Sequence, residues 1–91
     1  MAFAADPELE ALAEEEMARA LTLSWREASK VTPWGDTYTG FAPSGGEVHF
    51  ERSYIWADRE GGDVQVEVVV YDDPERYDEA ARRTGVIRRG D

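Results

Sequence analysis

The sequence predicts an α+β fold: an N-terminal helix packed on a small antiparallel sheet, a meander of two to three strands, followed by a short C-terminal helix. Three observations carry this expectation. Leu9, Leu12, Ala13, Met17, Ala20 and Leu21 recur at helical spacing. Val64, Val66, Val68 and Val70 alternate with Gln65 and Glu67, and Val48, Phe50, Tyr54 and Trp56 fall on one face of a second alternating run. The 91 residues allow one domain and one core, because a chain of this size buries only about 60 to 65% of its unfolded surface.

The first helix is expected over about residues 6–21. Asp6 is a good N-cap, Pro7 lacks the donor that the first turn leaves unused, and Glu8 and Glu10 meet the positive end of the helix dipole. Ser24-x-x-Glu27 reads as a fresh capping box and predicts a second helix over about 25–30, ended by Pro33 and Gly35. Thr37 to Phe41 forms a short strand, Pro43-Ser-Gly-Gly46 a turn, and residues 47–56 and 64–71 a long-looped hairpin. Asp73-Pro74 repeats the helix-start signal and Gly85 suits a C-cap, which places a helix over about 74–84. Val86 to Asp91 is either a closing edge strand or a frayed tail, and residues 1–5 lie outside the core as a disordered end.

Composition narrows the function classes. With no cysteine there is no disulfide, thiolate nucleophile or cysteine-held metal. Twenty acids against ten bases, a net charge of -10 spread along the chain, argue against binding a phosphate backbone. The start has no basic segment followed by an apolar one, and no apolar run approaches the roughly 18 residues of a membrane span. A cytoplasmic protein that neither binds nucleic acid directly nor enters a membrane is expected. Arg is nine of the ten bases and Ala occurs 12 times, the usage of a GC-rich bacterial coding sequence.

Four groups of residues invite a chemical reading. Arg52 sits on the apolar face of its strand between Phe50 and Tyr54, where an unpaired guanidinium is costly. A helical wheel puts Glu16 about 20° from Leu9 and 40° from Leu12, so Glu16 and Arg52 are candidates for an ion pair at the helix–sheet seam. The rarity of buried long charged side chains favours the alternative, a bulge that turns Arg52 to solvent. His49 and Glu51 share a strand face as a base with its carboxylate or as two metal ligands, but no nucleophile or second histidine accompanies them, and a solvated strand face is the preferred reading. Asp58, Glu60 and Asp63 lie in a Gly-rich loop without the spacing of a calcium loop. Neither Gly-Gly pair opens a phosphate cradle, and the terminal Arg89-Gly90-Asp91 tripeptide carries no weight.

Aromatic residues are the fourth group. Trp34, Tyr38 and Phe41 occupy a turn-rich stretch, where they either fold over an open end of the core or present a partner surface. No catalytic constellation, metal site or cofactor is expected. The chain reads as a small non-catalytic module for protein interaction or self-association, with a protein partner or a homodimer and Trp34, Tyr38 and Phe41 as the binding surface. The alternative is a small-ligand pocket between helix and sheet, lined by Trp25, Trp34, Tyr54 and Trp56 and anchored by Arg52. A further alternative is an acidic nucleic-acid mimic.

Overall fold

The computed structural model describes residues 6–90; expectations for residues 1–5 and for Asp91 fall outside the described residues. Helix α1, Pro7–Ala20, starts as its sequence dictates: the Asp6 side chain accepts from Glu8 N at 2.8 Å, and Pro7 fills the first position. Helix α2, Trp25–Lys30, opens on a capping box in which Ser24 Oγ accepts from Glu27 N while Glu27 Oε1 accepts from Ser24 N. The Ser24 backbone and side-chain donors hold the Glu27 carboxyl below its ordinary value. Strands β1, Gly35–Phe41, β2, Glu47–Trp56, β3, Val64–Tyr71, and β4, Ala81–Ile87, form one antiparallel sheet in sequence order.

The sheet therefore has four strands, which corrects the expected two to three. The C-terminal helix expected over 74–84 is likewise replaced. Pro74–Glu79 is 3₁₀ structure broken at Arg76 (φ -118°, ψ 37°), Ala80 is extended, and residues from Ala81 onward pair with β3. The two-residue period of β4 is disguised because Arg83 and Gly85 occupy positions on the face toward α1. Arg83 Nη1 bonds Glu10 Oε1 across to the helix. A Cβ at Gly85 would stand 3.1 Å from Met17 Sδ and 3.2 Å from Leu21 Cδ2, so Gly85 is a close-approach site for α1 and not a helix cap.

Leu9, Ala13, Met17 and Ala20 of α1 pack on β3 and β4, burying Val64, Val66, Val68 and Val70 completely. Because α1 lies over β3 and β4, the β1 flank of the same sheet face stays partly open. The opposite face is closed in part by the 3₁₀ segment. Glu51 accepts from Tyr77 Oη at 2.7 Å and from Tyr71 Oη at 3.2 Å, Tyr71 stacks on His49, and Val69 lies buried on that same face. Ile55 and Val86, farther along that face, remain exposed. Among the described residues, no helix is long and apolar enough to cross a membrane.

Candidate functional site

The open flank carries the site. The β1–β2 register runs without interruption from Gly35↔Ser53 to Phe41↔Glu47, which places Asp36, Tyr38 and Gly40 opposite Arg52, Phe50 and Val48. No bulge diverts Arg52, so its side chain stays on the face toward α1. There Arg52 Nη1 donates to Glu16 Oε2 at 2.9 Å and Nη2 to Asp36 Oδ2 at 3.1 Å, while Nε is buried without a partner. Glu16 is only 2% exposed, and its other oxygen accepts from Arg19 Nη1 at 3.0 Å. Arg19 continues to Glu15 at 3.1 Å. The arrangement that residue rarity disfavours is thus the one adopted, because two guanidinium groups satisfy a single buried carboxylate.

Aromatic rings frame this network. The Arg52 guanidinium lies 5.9 Å from the ring centres of both Tyr38 and Tyr54, its neighbours on the same face. Tyr38 stacks on Phe50 with centroids 4.8 Å apart and planes 8° from parallel. Burial works against the Arg52 charge, but the Asp36 hydrogen bond and the surrounding Tyr54, Asp36 and Glu16 groups outweigh it and raise the pKa. Burial, with Glu16 beside it, pushes the Tyr38 phenol well above its ordinary value, and burial also raises Tyr54.

Next to the network is an open cleft of about 370 Å³ between the end of α1 and the start of β1, lined by Ala20, Leu23, Val31, Trp34, Arg52 and Tyr54 among others. Of the residues expected in a helix–sheet pocket, Trp34, Tyr54 and Arg52 line it and Trp25 and Trp56 do not. Trp25 Nε1 instead donates to Gly62 O at 2.7 Å, and Arg89 covers its ring at 4.9 Å. Each Nη of Arg52 already bonds a carboxylate, and the charged residues of the lining, Arg19, Asp36 and Arg52, are all engaged in ion pairs, so apart from them the cleft presents an apolar wall.

The three aromatics expected to form one surface are distributed from Trp34, just before β1, to Phe41 at its end. Trp34 and Tyr38 point to the α1 side, with Trp34 70% exposed beside the cleft. Phe41, 75% exposed, stands at the other end of the strand on the opposite face. Their common feature is the strand itself, a property that spacing in the sequence does not reveal. Tyr54 N donates to Trp34 O at 2.9 Å. By the alternation of an antiparallel ladder, even-numbered residues of β1 turn their peptide groups to β2, and Gly35, Thr37, Thr39 and Phe41 turn theirs outward.

Of the remaining candidates, His49, Glu51 and Asp63 make contacts within the fold. Both Glu51 oxygens accept tyrosine hydroxyls, and His49 is stacked on Tyr71 with centroids 5.1 Å apart. Asp63 accepts from Arg89 N at 2.9 Å, and Arg89 Nη1 donates to Gly61 O, which fastens the segment after β4 to the β2–β3 loop. Among the described residues, no three potential ligands converge on a metal position. No protein-family model, curated protein or solved structure matches this chain.

All four tyrosines share one electrostatic trait. Tyr71 is raised by burial and by Glu51, and Tyr77 by its hydrogen bond to Glu51, so with Tyr38 and Tyr54 every phenol lies above the ordinary 10.0. An absorbance titration of the phenolate band is expected to show no tyrosine ionising at that value in the folded protein and all four ionising there in denaturant. The folded state then binds more protons than the unfolded chain above about pH 10. The stability these hydroxyls supply is complete below that pH and declines as pH rises through the folded values. A normal tyrosine wave in the native protein contradicts this.

Proposed function

We propose that the chain is a non-catalytic protein-interaction module that receives a partner along the free edge of β1, with Trp34, Tyr38 and Phe41 as its side-chain contacts. The observation that carries this reading is the exposure of the strand. Six of the seven residues from Gly35 to Phe41 are exposed and the seventh is half-buried, leaving a row of outward peptide groups. Natural sheets blunt such edges with lysine, proline, bulges or a covering element. The segment Gly-Asp-Thr-Tyr-Thr-Gly-Phe has no lysine or proline, its register with β2 has no bulge, and its one acid, Asp36, is bonded to Arg52.

The other sheet edge is defended. Strand β4 carries the exposed Arg82 and is followed by the exposed Arg88 and Arg89, while Arg83 turns toward α1 to bond Glu10. The unequal treatment of the two edges supports a docking role for β1, since main-chain bonds to an added strand supply affinity and flanking pockets supply selectivity. Trp34 and the apolar cleft beside it are suited to the second task.

Capture from a cell extract tests the proposal. The wild-type chain is expected to retain a defined protein, and Trp34→Ala and Tyr38→Ala to release it by at least tenfold, both with the wild-type circular dichroism and Trp34→Ala with the wild-type melting profile as well. Retention of no protein, with a small molecule co-purifying instead, would transfer the site to the ligand-pocket reading. Equal capture by the wild type and both variants would remove β1 from the interface.

A further inference from the structure

Building on the β1-edge reading, we propose that the partner is a second copy of this chain, paired β1 to β1 in antiparallel orientation about a two-fold axis at Tyr38. In that register Gly35 faces the other copy's Phe41, Asp36 faces Gly40, Thr37 faces Thr39, and the two Tyr38 residues face one another. The outward peptide groups are those of Gly35, Thr37, Thr39 and Phe41, so the pairing joins only outward groups to outward groups. The four-stranded sheet becomes one continuous sheet through both copies, with both α1 helices on the same side.

The strand is complementary to its own reverse. Its large side chains stand where the reversed copy is small. Phe41, bare on the face away from α1, lies over Gly35 of the other copy, which has no side chain on that face. Trp34, bare on the α1 side, lies beside Gly40 and Ala42 of the other copy. At the axis the Tyr38–Phe50 stack of one copy continues into that of the other across a close non-hydrogen-bonded pair. Gly35 is itself held small by the fold: a Cβ there would meet Arg52 O at 2.6 Å.

Charge does not oppose the contact locally, although the chain carries -10 overall. Between Gly35 and Phe41 the only ionisable side chains are Tyr38, whose phenol is neutral, and Asp36, which is paired with Arg52. Pairing of β1 with the β4 edge of another copy would extend into an open chain of molecules, and the exposed arginines in and after β4 guard against it. A strand pair with two aromatic ends makes a modest interface, near the lower end of the roughly 1,200 to 2,000 Å² of stable complexes, so a concentration-dependent dimer is expected.

Sedimentation over a dilution series, combined with cysteine cross-linking in this cysteine-free chain, tests the pairing. The wild type is expected to pass from monomer to dimer and no further. Thr39→Pro removes an outward N–H without touching the β2 ladder and is expected to weaken dimerisation at least tenfold with the monomer fold intact. Phe41→Ser, at an exposed position, is expected to weaken it as well and serves if the proline variant does not fold. Tyr38→Cys is expected to cross-link under mild oxidation, since a non-hydrogen-bonded pair has its Cα atoms about 4.5 Å apart, within disulfide range. Phe41→Cys, whose two copies are separated by most of the strand, is expected not to cross-link.

A dimer that survives both Thr39→Pro and Phe41→Ser, or that cross-links equally through Tyr38→Cys and Phe41→Cys, overturns the pairing. So does assembly beyond the dimer, which indicates the β1-to-β4 mode. A wild type that stays monomeric at all concentrations overturns self-pairing alone; capture of a different protein in a Tyr38-dependent manner would still support the β1-edge reading, and failure of that capture would end both.

Discussion

Glu16→Ala is expected to destabilise the fold by about 3 kcal/mol, measured by denaturant unfolding, a value at the low end for removing one member of a buried ion pair. The loss strands both guanidinium groups that converge on the carboxylate. Arg52 suffers more, because its side chain is 27% exposed against 64% for Arg19. Asp36 remains as a second acceptor for Arg52 and moderates the loss. The double variant Glu16→Leu with Arg52→Met is expected to recover to within about 1 kcal/mol of wild type, since an apolar pair of similar volume needs no charge compensation. A double variant no more stable than Glu16→Ala would show that the pair itself, and not the stranded charge, supports the seam. Arg52→Met alone should also disturb Tyr38 and Tyr54, which flank the guanidinium.

Phe50→Ala is expected to remove about 3 to 4 kcal/mol, in the range for deleting a buried aromatic ring, and to lower the melting temperature by about 4 to 8 °C per kcal/mol in a domain of this length. Phe50 is almost fully buried in the centre of β2 and is the platform on which Tyr38 stacks. Its loss frees Tyr38 and loosens β1 at the proposed two-fold axis, so dimerisation should fall along with stability. Phe50→Leu, which retains most of the volume, is expected to lose about 1.5 kcal/mol or less. If dimerisation fell with Phe50→Leu as far as with Phe50→Ala, the ring stack would matter beyond packing. An unchanged melting temperature in Phe50→Ala would contradict the burial of the ring.

How far the fold was legible varied with the strength of local signals. The caps of α1 and α2, the valine run of β3 and the hydrophobic face of β2 are properties of short windows, and each element forms where those windows place it. Strand β4 was legible only in part, as a closing edge strand beginning at Val86; its start at Ala81 was not, because its core-facing Arg83 and Gly85 are explained only by Glu10, Met17 and Leu21 on a distant helix. The 3₁₀ segment similarly depends on Glu51, more than twenty residues upstream of Tyr77, for the bond that lays it on the sheet. In the candidate site, the wheel position of Glu16 and the face of Arg52 pointed toward one another, while the second partners Arg19 and Asp36 needed the fold to reveal them.

The amino-acid pattern alone determined an amphipathic helix, a valine-faced ribbon, an acidic surface and the absence of thiol chemistry, because periodicity, caps and composition act over a few residues or over the whole chain at once. Tertiary structure decided which strand ended a sheet and which was covered. Being an edge is a relation among strands, set by where α1 lies and by what β4 pairs with, and no spacing within Gly35–Phe41 encodes it. Trp34, Tyr38 and Phe41 were visible as surplus aromatics, but the row of outward peptide groups that joins them exists only after β2 has taken the other side of the strand.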